Sequence, residues 1–205
     1  YGLGLDTAYL RFGRKNGEPD ASAFSAAFMT VLATSLVISA GIALGAAPLA
    51  HLAGLPVEMA SLMRYGAAIL LVDAAMLLPY SELRASHRAG AYAGVKLVGI
   101  AMNVVLAFIF VRSMGLGLRG VFLANLIASI STLAMLAPVI LARLAAPSRA
   151  RLKEMLAFGI PLVAAGMGSM IVQVANRPIL AKTAGLAEAE IFGTCYKLGI
   201  GMMLL

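Results

Sequence analysis

Long charge-free runs separated by short polar clusters dominate this chain, and their lengths predict helices that cross a membrane. No charge falls between Ala21 and Ala50, a run longer than the ~20 residues that span a hydrocarbon core, so it predicts one crossing with an interfacial lead-in. Residues 65–81 form a second run interrupted by Asp73, residues 91–111 a third that holds Lys96, residues 120–142 a fourth free of charge, and residues 155–176 a fifth. A sixth begins near Ile191 and carries Lys197, while residues 1–12 read as the tail of one further helix. The pattern is under way at Tyr1 and still running at Leu205, which predicts an interior piece of a longer protein. The predicted fold is all-α, a polytopic transmembrane helix bundle, because only helices or closed barrels satisfy their backbone groups in lipid.

The stretches between the runs have connector chemistry. Residues 14–20, RKNGEPD, form a turn-rich link, and residues 112–120, RSMGLGLRG, read as a tight glycine hairpin between two spans. Residues 145–156, AAPSRARLKEML, place a Pro, a Ser at an N-cap position and an acidic residue before the fifth run, the signature of a short amphipathic lead-in. This stretch is also the expected boundary between two halves of a larger array. Within the spans, Gly41-x-x-x-Gly45 and Gly166-x-Gly168 offer close helix approach. Pro79, Pro138 and Pro161 free backbone carbonyls and invite bends.

Composition sharpens the membrane reading: 61% of residues are hydrophobic and 12% charged, against about 25% charged in an ordinary soluble domain. The single Cys195 excludes an internal disulfide and is expected to pack as a small apolar residue. With helices alternating in direction, one side receives Arg11, Arg14, Lys15, Arg84, Arg88, Lys96, Arg143, Arg149, Arg151 and Lys153, and the other Arg64, Arg112, Arg119, Arg177 and Lys182. The positive-inside rule makes the richer side cytoplasmic. The net charge of +7 thus reads as anchoring to an anionic leaflet; the basic residues are scattered over short loops without interleaved aromatics, which speaks against nucleic-acid binding.

Catalytic patterns do not emerge. His51 and His87 fall in different loops on opposite predicted sides, and there is no nucleophile elbow, phosphate-binding Gly-Lys-Ser/Thr loop or close carboxylate pair, so neither an enzyme nor a cofactor or metal is expected. Ionisable and amide groups at membrane depth are the remaining candidates. Asp73 sits near the middle of its run, where an unpaired charge costs on the order of 3 kcal/mol, so it is expected to couple an ion or to be satisfied by a neighbouring helix. Asn103 and Asn125 are expected to hydrogen-bond between helices, and Asp6 to pair with Arg11 at a helix end. Arg177 closes the fifth run, Gln173 lies one turn earlier on the same face, and Lys197 stands in the next helix. Together the three would attract a phosphorylated substrate, or Arg177 would simply snorkel to the interface.

The order of several stretches resembles the oligosaccharide flippases of polysaccharide biosynthesis, within the superfamily that also holds multidrug extruders. These are LGLDTAYLRF (3–12), YSELRASHRAGAY (80–92), MGLGLRGVFLAN (114–125), FGIPLVAAGM (158–167), NRPIL (176–180) and IFGTCYKLG (191–199). Asn176-Arg177 departs from the Asp-Arg often found in that family, whereas the Tyr196-Lys197 step is kept. The resemblance implies two six-helix lobes around a central cavity. Residues 1–144 would be part of the first lobe, from the end of its second helix through its sixth; 145–154 would be the cytoplasmic connection and 155–205 the start of the second lobe. It also implies translocation of a polyprenyl-diphosphate-linked oligosaccharide across the cell inner membrane, with Arg177, Lys197 and Gln173 on the substrate and Asp73 in ion coupling or structure. Membrane lipids and glycan-assembly proteins would be the partners. A cation-coupled multidrug exporter of the same superfamily and a membrane enzyme of the same pathway are the alternatives.

Overall fold

The computed structural model describes residues 2–15, 18–48 and 60–183 together with Gly185 and Gly193; for Lys15, 169–170, 172–179 and 181–183 it describes the backbone alone. Helices α1 (Leu5–Phe12), α2 (Ala21–Leu44), α3 (Ala60–Ala85), α4 (Ala89–Phe108), α5 (Gly117–Arg143) and α6 (Arg149–Thr183) make up nearly all of it. α4 widens into a π-helical turn over Ile109–Ser113. The 14–20 connector folds as a minimal hairpin in which β1 (Arg14–Lys15) pairs antiparallel with β2 (Glu18–Pro19).

Among the described residues four helices are long and apolar enough to cross a membrane: Ala21–Leu44, Ala60–Ala85, Ala89–Ser113 and Gly117–Arg143. They coincide with the first four predicted runs. The fifth run lies within α6, and the sixth falls outside the described residues. The second run was bounded at 81 by Glu82, yet α3 continues to Ala85 because that carboxylate is satisfied inside the bundle.

The chain divides into two compact units, Tyr1–Gly159 and Ile160–Leu205. In the first, α2 packs on α3, α3 on α5, and α5 on α4. Lipid tails are as apolar as leucine, so helices in a bilayer gain little by hiding hydrophobic groups and associate where small residues let backbones come close. Every fourth position supplies such a ridge on two helices: Ala23, Ala27, Val31, Ser35 and Ser39 are buried along α2, and Gly120, Ala124, Ala128, Thr132 and Leu136 along α5. On α3 the buried small residues Ala60, Ala67, Ala74 and Ser81 repeat every seventh position, two turns apart. Pro79 is buried inside α3, which runs through it.

The expected glycine contacts are not where close packing occurs. Among the described residues a Cβ at Gly41 would meet nothing within 4 Å, and Gly45 caps the end of α2, while Gly166 and Gly168 belong to the second unit. Close approach happens instead at Gly99, where a Cβ would lie 2.6 Å from Thr132 Oγ1, and between Gly4 and Gly159, where a Cβ on Gly159 would lie 2.5 Å from the Leu3 carbonyl oxygen. Gly4 has a φ of +66°, a left-handed conformation that glycine adopts without strain.

α1 and the start of α6 close the core of this first unit. Leu5, Tyr9, Phe24, Phe28, Leu78 and Met155 form one buried cluster, with Leu152 and Phe158 packed against it. Tyr9 meets Phe24 edge-on, and Phe24 stacks on Phe28. Arg11 lies 4.9 Å from the centre of the Phe158 ring, so its partner is this aromatic face and not the expected Asp6. The connection before α6 is fastened to the start of α2: the Ala145 N–H donates to Ser25 Oγ at 2.7 Å, and Arg151 Nε to Asp20 Oδ2 at 3.1 Å. Ser148 caps α6, as its sequence position predicts, accepting from the Arg151 N–H at 3.5 Å.

Asp20 in turn caps α2, accepting from the backbone N–H groups of Ser22 and Ala23 and from the Ser22 hydroxyl. The Ser22 hydroxyl, these N–H groups and the Arg151 guanidinium all favour its ionised form and hold its carboxyl below the usual carboxylate range.

Candidate functional site

Two carboxylates on α3 organise the polar groups of the first unit. Glu82, near the end of the helix, is 3% exposed. Its Oε2 accepts from the Tyr9 hydroxyl at 2.6 Å, and its Oε1 accepts from Ser86 Oγ at 2.8 Å and from Arg143 Nε at 2.9 Å. α1, α3 and α5 are thereby tied together at the end of the bundle where Arg84, Arg88, Arg143 and Arg151 gather. A buried charge that receives three donors, one of them cationic, is fully accounted for by structure.

Asp73 is placed differently. It lies near the middle of α3, and its carboxylate is exposed at the surface of this unit. The Ser129 hydroxyl donates to Asp73 Oδ1 at 2.7 Å, and Asn125 Oδ1 stands 3.4 Å from the same hydroxyl. Around them runs a groove of about 330 Å³ between α3, α4 and α5, into which Asp73, Tyr80, Lys96, Asn103, Asn125 and Thr132 all face. Gly99 makes this geometry possible. With no side chain there, α4 comes close enough to α5 for Lys96 and Asn103, on either side of it in sequence, to reach the groove.

Lys96 sits about 10 Å along α4 from Ala89, at 1.5 Å per residue, so its backbone is inside the span. Its Nζ lies 5.3 Å from the Tyr80 ring centre and 5.7 Å from that of Tyr92, and the two rings meet edge to face at 5.3 Å. Two π faces thus stabilise the ammonium of a lysine rooted in the span. Chemically, the groove offers one carboxylate, one ammonium, two amides and hydroxyls on helices otherwise lined by aliphatic residues. Among the described residues no group of three or more His, Cys, Asp or Glu side chains is arranged to hold a metal ion.

A family model described as polysaccharide biosynthesis protein matches residues 2–203. The chain belongs to this polysaccharide biosynthesis family. No curated protein and no solved structure matches it.

As a member of that family the chain is a multi-pass membrane protein with a part in polysaccharide biosynthesis. Of the site residues expected from sequence, Asp73 is the one whose side chain is described, and the structure joins to it Asn103 and Asn125. The nearest polar neighbour of Asn125 Oδ1 is the Ser129 hydroxyl of its own helix, and among the described residues the expected bond across helices is made by Ser129 to Asp73 instead. Gln173 and Arg177 belong to α6 by their backbone, but their side chains lie outside the described residues, as does Lys197 altogether. Glu82 is the polar centre that sequence reasoning missed. Its signal was faint: a single acidic residue among Arg84, His87 and Arg88 reads as part of a solvated loop.

Proposed function

We propose that this protein is a flippase: it moves an oligosaccharide linked to a polyprenyl diphosphate across the cell inner membrane by alternating access. The observation that carries this reading is the Asp73 groove, a polar path set into membrane-spanning helices. An ionisable group at that depth is tolerated where it faces water, protein or a passing substrate. Amides and hydroxyls such as Asn103, Asn125 and Ser129 suit a sugar, which offers alternating donors and acceptors but little charge.

In this scheme residues 1–144 contribute to one lobe and 155–205 begin the other, joined through 145–154. The lobes rock so that a site near the midplane opens alternately to either side. Arg177 grips the diphosphate with paired hydrogen bonds, Lys197 adds a compact charge, and Gln173 extends the polar strip. Asp73 couples transport to an ion that its carboxylate binds and releases as the groove opens and closes. The protein itself makes and breaks no covalent bond.

The test uses cells whose surface polysaccharide depends on the full-length protein. Arg177→Ala, Lys197→Ala and Asp73→Asn are each expected to lower surface polysaccharide at least several-fold with unchanged protein in the membrane, while lipid-linked oligosaccharide accumulates on the inner leaflet. Normal export in all three variants overturns the reading.

A further inference from the structure

Beside Glu82 a second opening remains that translocation does not use. It is a crevice of about 480 Å³ between the end of α3, the first half of α4 and the last half of α5. One end is polar, formed by Arg88, Arg143 and Ser86; the other is apolar, walled by Val95, Met135 and Val139. Val95 lies about 9 Å along α4 from Ala89 and Met135 about 12 Å along α5 from Arg143, so the apolar part reaches roughly two turns into the span.

Charge at the polar end is asymmetric. Glu82 contributes a carboxylate, but its oxygens already receive Tyr9, Ser86 and Arg143, and it is buried. Arg143 uses Nε for that contact while 32% of its side chain stays exposed. Arg88 is exposed and holds the position just before α4, delivered there by a turn in which His87 takes a φ of +55°. α4 has no acidic residue in its first turn and no side-chain cap, so its positive end adds to the two arginines.

We propose that this crevice binds an anionic phospholipid, with the headgroup phosphate between Arg88 and Arg143 and the upper part of one acyl chain along Val95, Met135 and Val139. The complementarity is twofold: positive charge at the membrane surface meets the phosphate, and an apolar slot at hydrocarbon depth meets the chain. A soluble anion would match the first half alone, and in a zwitterionic lipid such as phosphatidylcholine the headgroup's own cation opposes the phosphate beside Arg88 and Arg143. Occupancy would brace α4, which has no buried residue of its own in this unit, against α3 and α5. The proposal is independent of the translocation reading and stands or falls without it.

The experiment is a thermal-unfolding titration of the purified full-length protein in detergent with phosphatidylglycerol, phosphatidylcholine or inorganic phosphate. Phosphatidylglycerol is expected to raise the melting temperature saturably, and the other two to leave it unchanged at equal concentration. Arg88→Gln is expected to shift the phosphatidylglycerol midpoint about fivefold higher, the weight of roughly one surface charge contact. Val95→Trp, which fills the slot without touching a charge, is expected to abolish the response. Equal shifts with phosphatidylcholine, the full shift with inorganic phosphate, or an unchanged midpoint in both variants overturns the proposal.

Discussion

Glu82 and Asp73 sit on the same face-forming helix, α3, and show two ways of keeping a carboxylate in a membrane protein. Glu82 is enclosed, receives three donors and connects three helices. Asp73 is exposed at the unit's surface and is held by one hydroxyl, with most of its hydrogen-bonding capacity turned to a groove. A side chain with both oxygens engaged by donors from its own protein is fixed by its surroundings. One that keeps open capacity at membrane depth is available to something that arrives, and this difference separates framework from site.

Four substitutions bear on that contrast. Glu82→Ala should have the largest effect, because it removes the acceptor of the buried Tyr9 hydroxyl, of Ser86 and of the partly exposed Arg143 guanidinium at once, and a single buried donor left unsatisfied costs about 1–3 kcal/mol. Little folded protein should survive detergent extraction, and Glu82→Leu combined with Arg143→Met should restore much of it. A melting temperature for Glu82→Ala close to wild type would place Glu82 with Asp73 as an uncommitted group.

Gly159→Ala comes next. Its Cβ would press on the Leu3 carbonyl oxygen, a backbone atom that cannot rotate aside, at a cost of about 1–3 kcal/mol. Its unfolding curve should shift accordingly, and an unshifted curve would mean that α1 and α6 part easily.

Asp20→Ala should cost about 1 kcal/mol through the lost cap, read most directly as faster hydrogen exchange over 145–154. The sign of the pH effect follows from the depressed carboxyl. Its stabilising contribution is complete above the ordinary value of 3.8 and is lost as pH falls from there through the lower folded value. The same exchange measurement should therefore show the connection loosening only in acid, and loosening near pH 6 would contradict the assignment.

Asp73→Asn should change stability least, by less than about 0.5 kcal/mol, since amide and carboxylate are alike in size and Ser129 can still donate to the amide oxygen. Its effect belongs to the dependence of export on pH or ion gradient. A melting temperature lowered as far as that of Glu82→Ala would show Asp73 to be framework as well.

The spans were legible because charge in hydrocarbon is costly enough to mark where helices enter and leave. Asp73 stood out for the same reason, as a lone acid in an apolar run. Glu82 did not, because its neighbours in sequence are arginines and its actual partners, Tyr9 and Arg143, come from distant helices. The packing seams were written every fourth residue, Ala23-Ala27 on α2 and Gly120-Ala124-Ala128 on α5, but alanine is too common in membrane helices to attract notice. Gly41-x-x-x-Gly45 attracted it instead, although a small residue permits close approach only where a partner helix faces it.

The placement of Met155 bears on how the molecule is made. Its side chain shares a core with Leu5, near the opposite end of the same unit, and Gly159 completes the contact with Gly4. Synthesised from its N-terminus, the unit cannot seal itself when α5 emerges; it must wait until the first turns of α6 have left the ribosome. Until then Tyr9 and Phe24 border an unfilled gap, which makes this interval the stage at which an assisting insertase or chaperone would have most to protect.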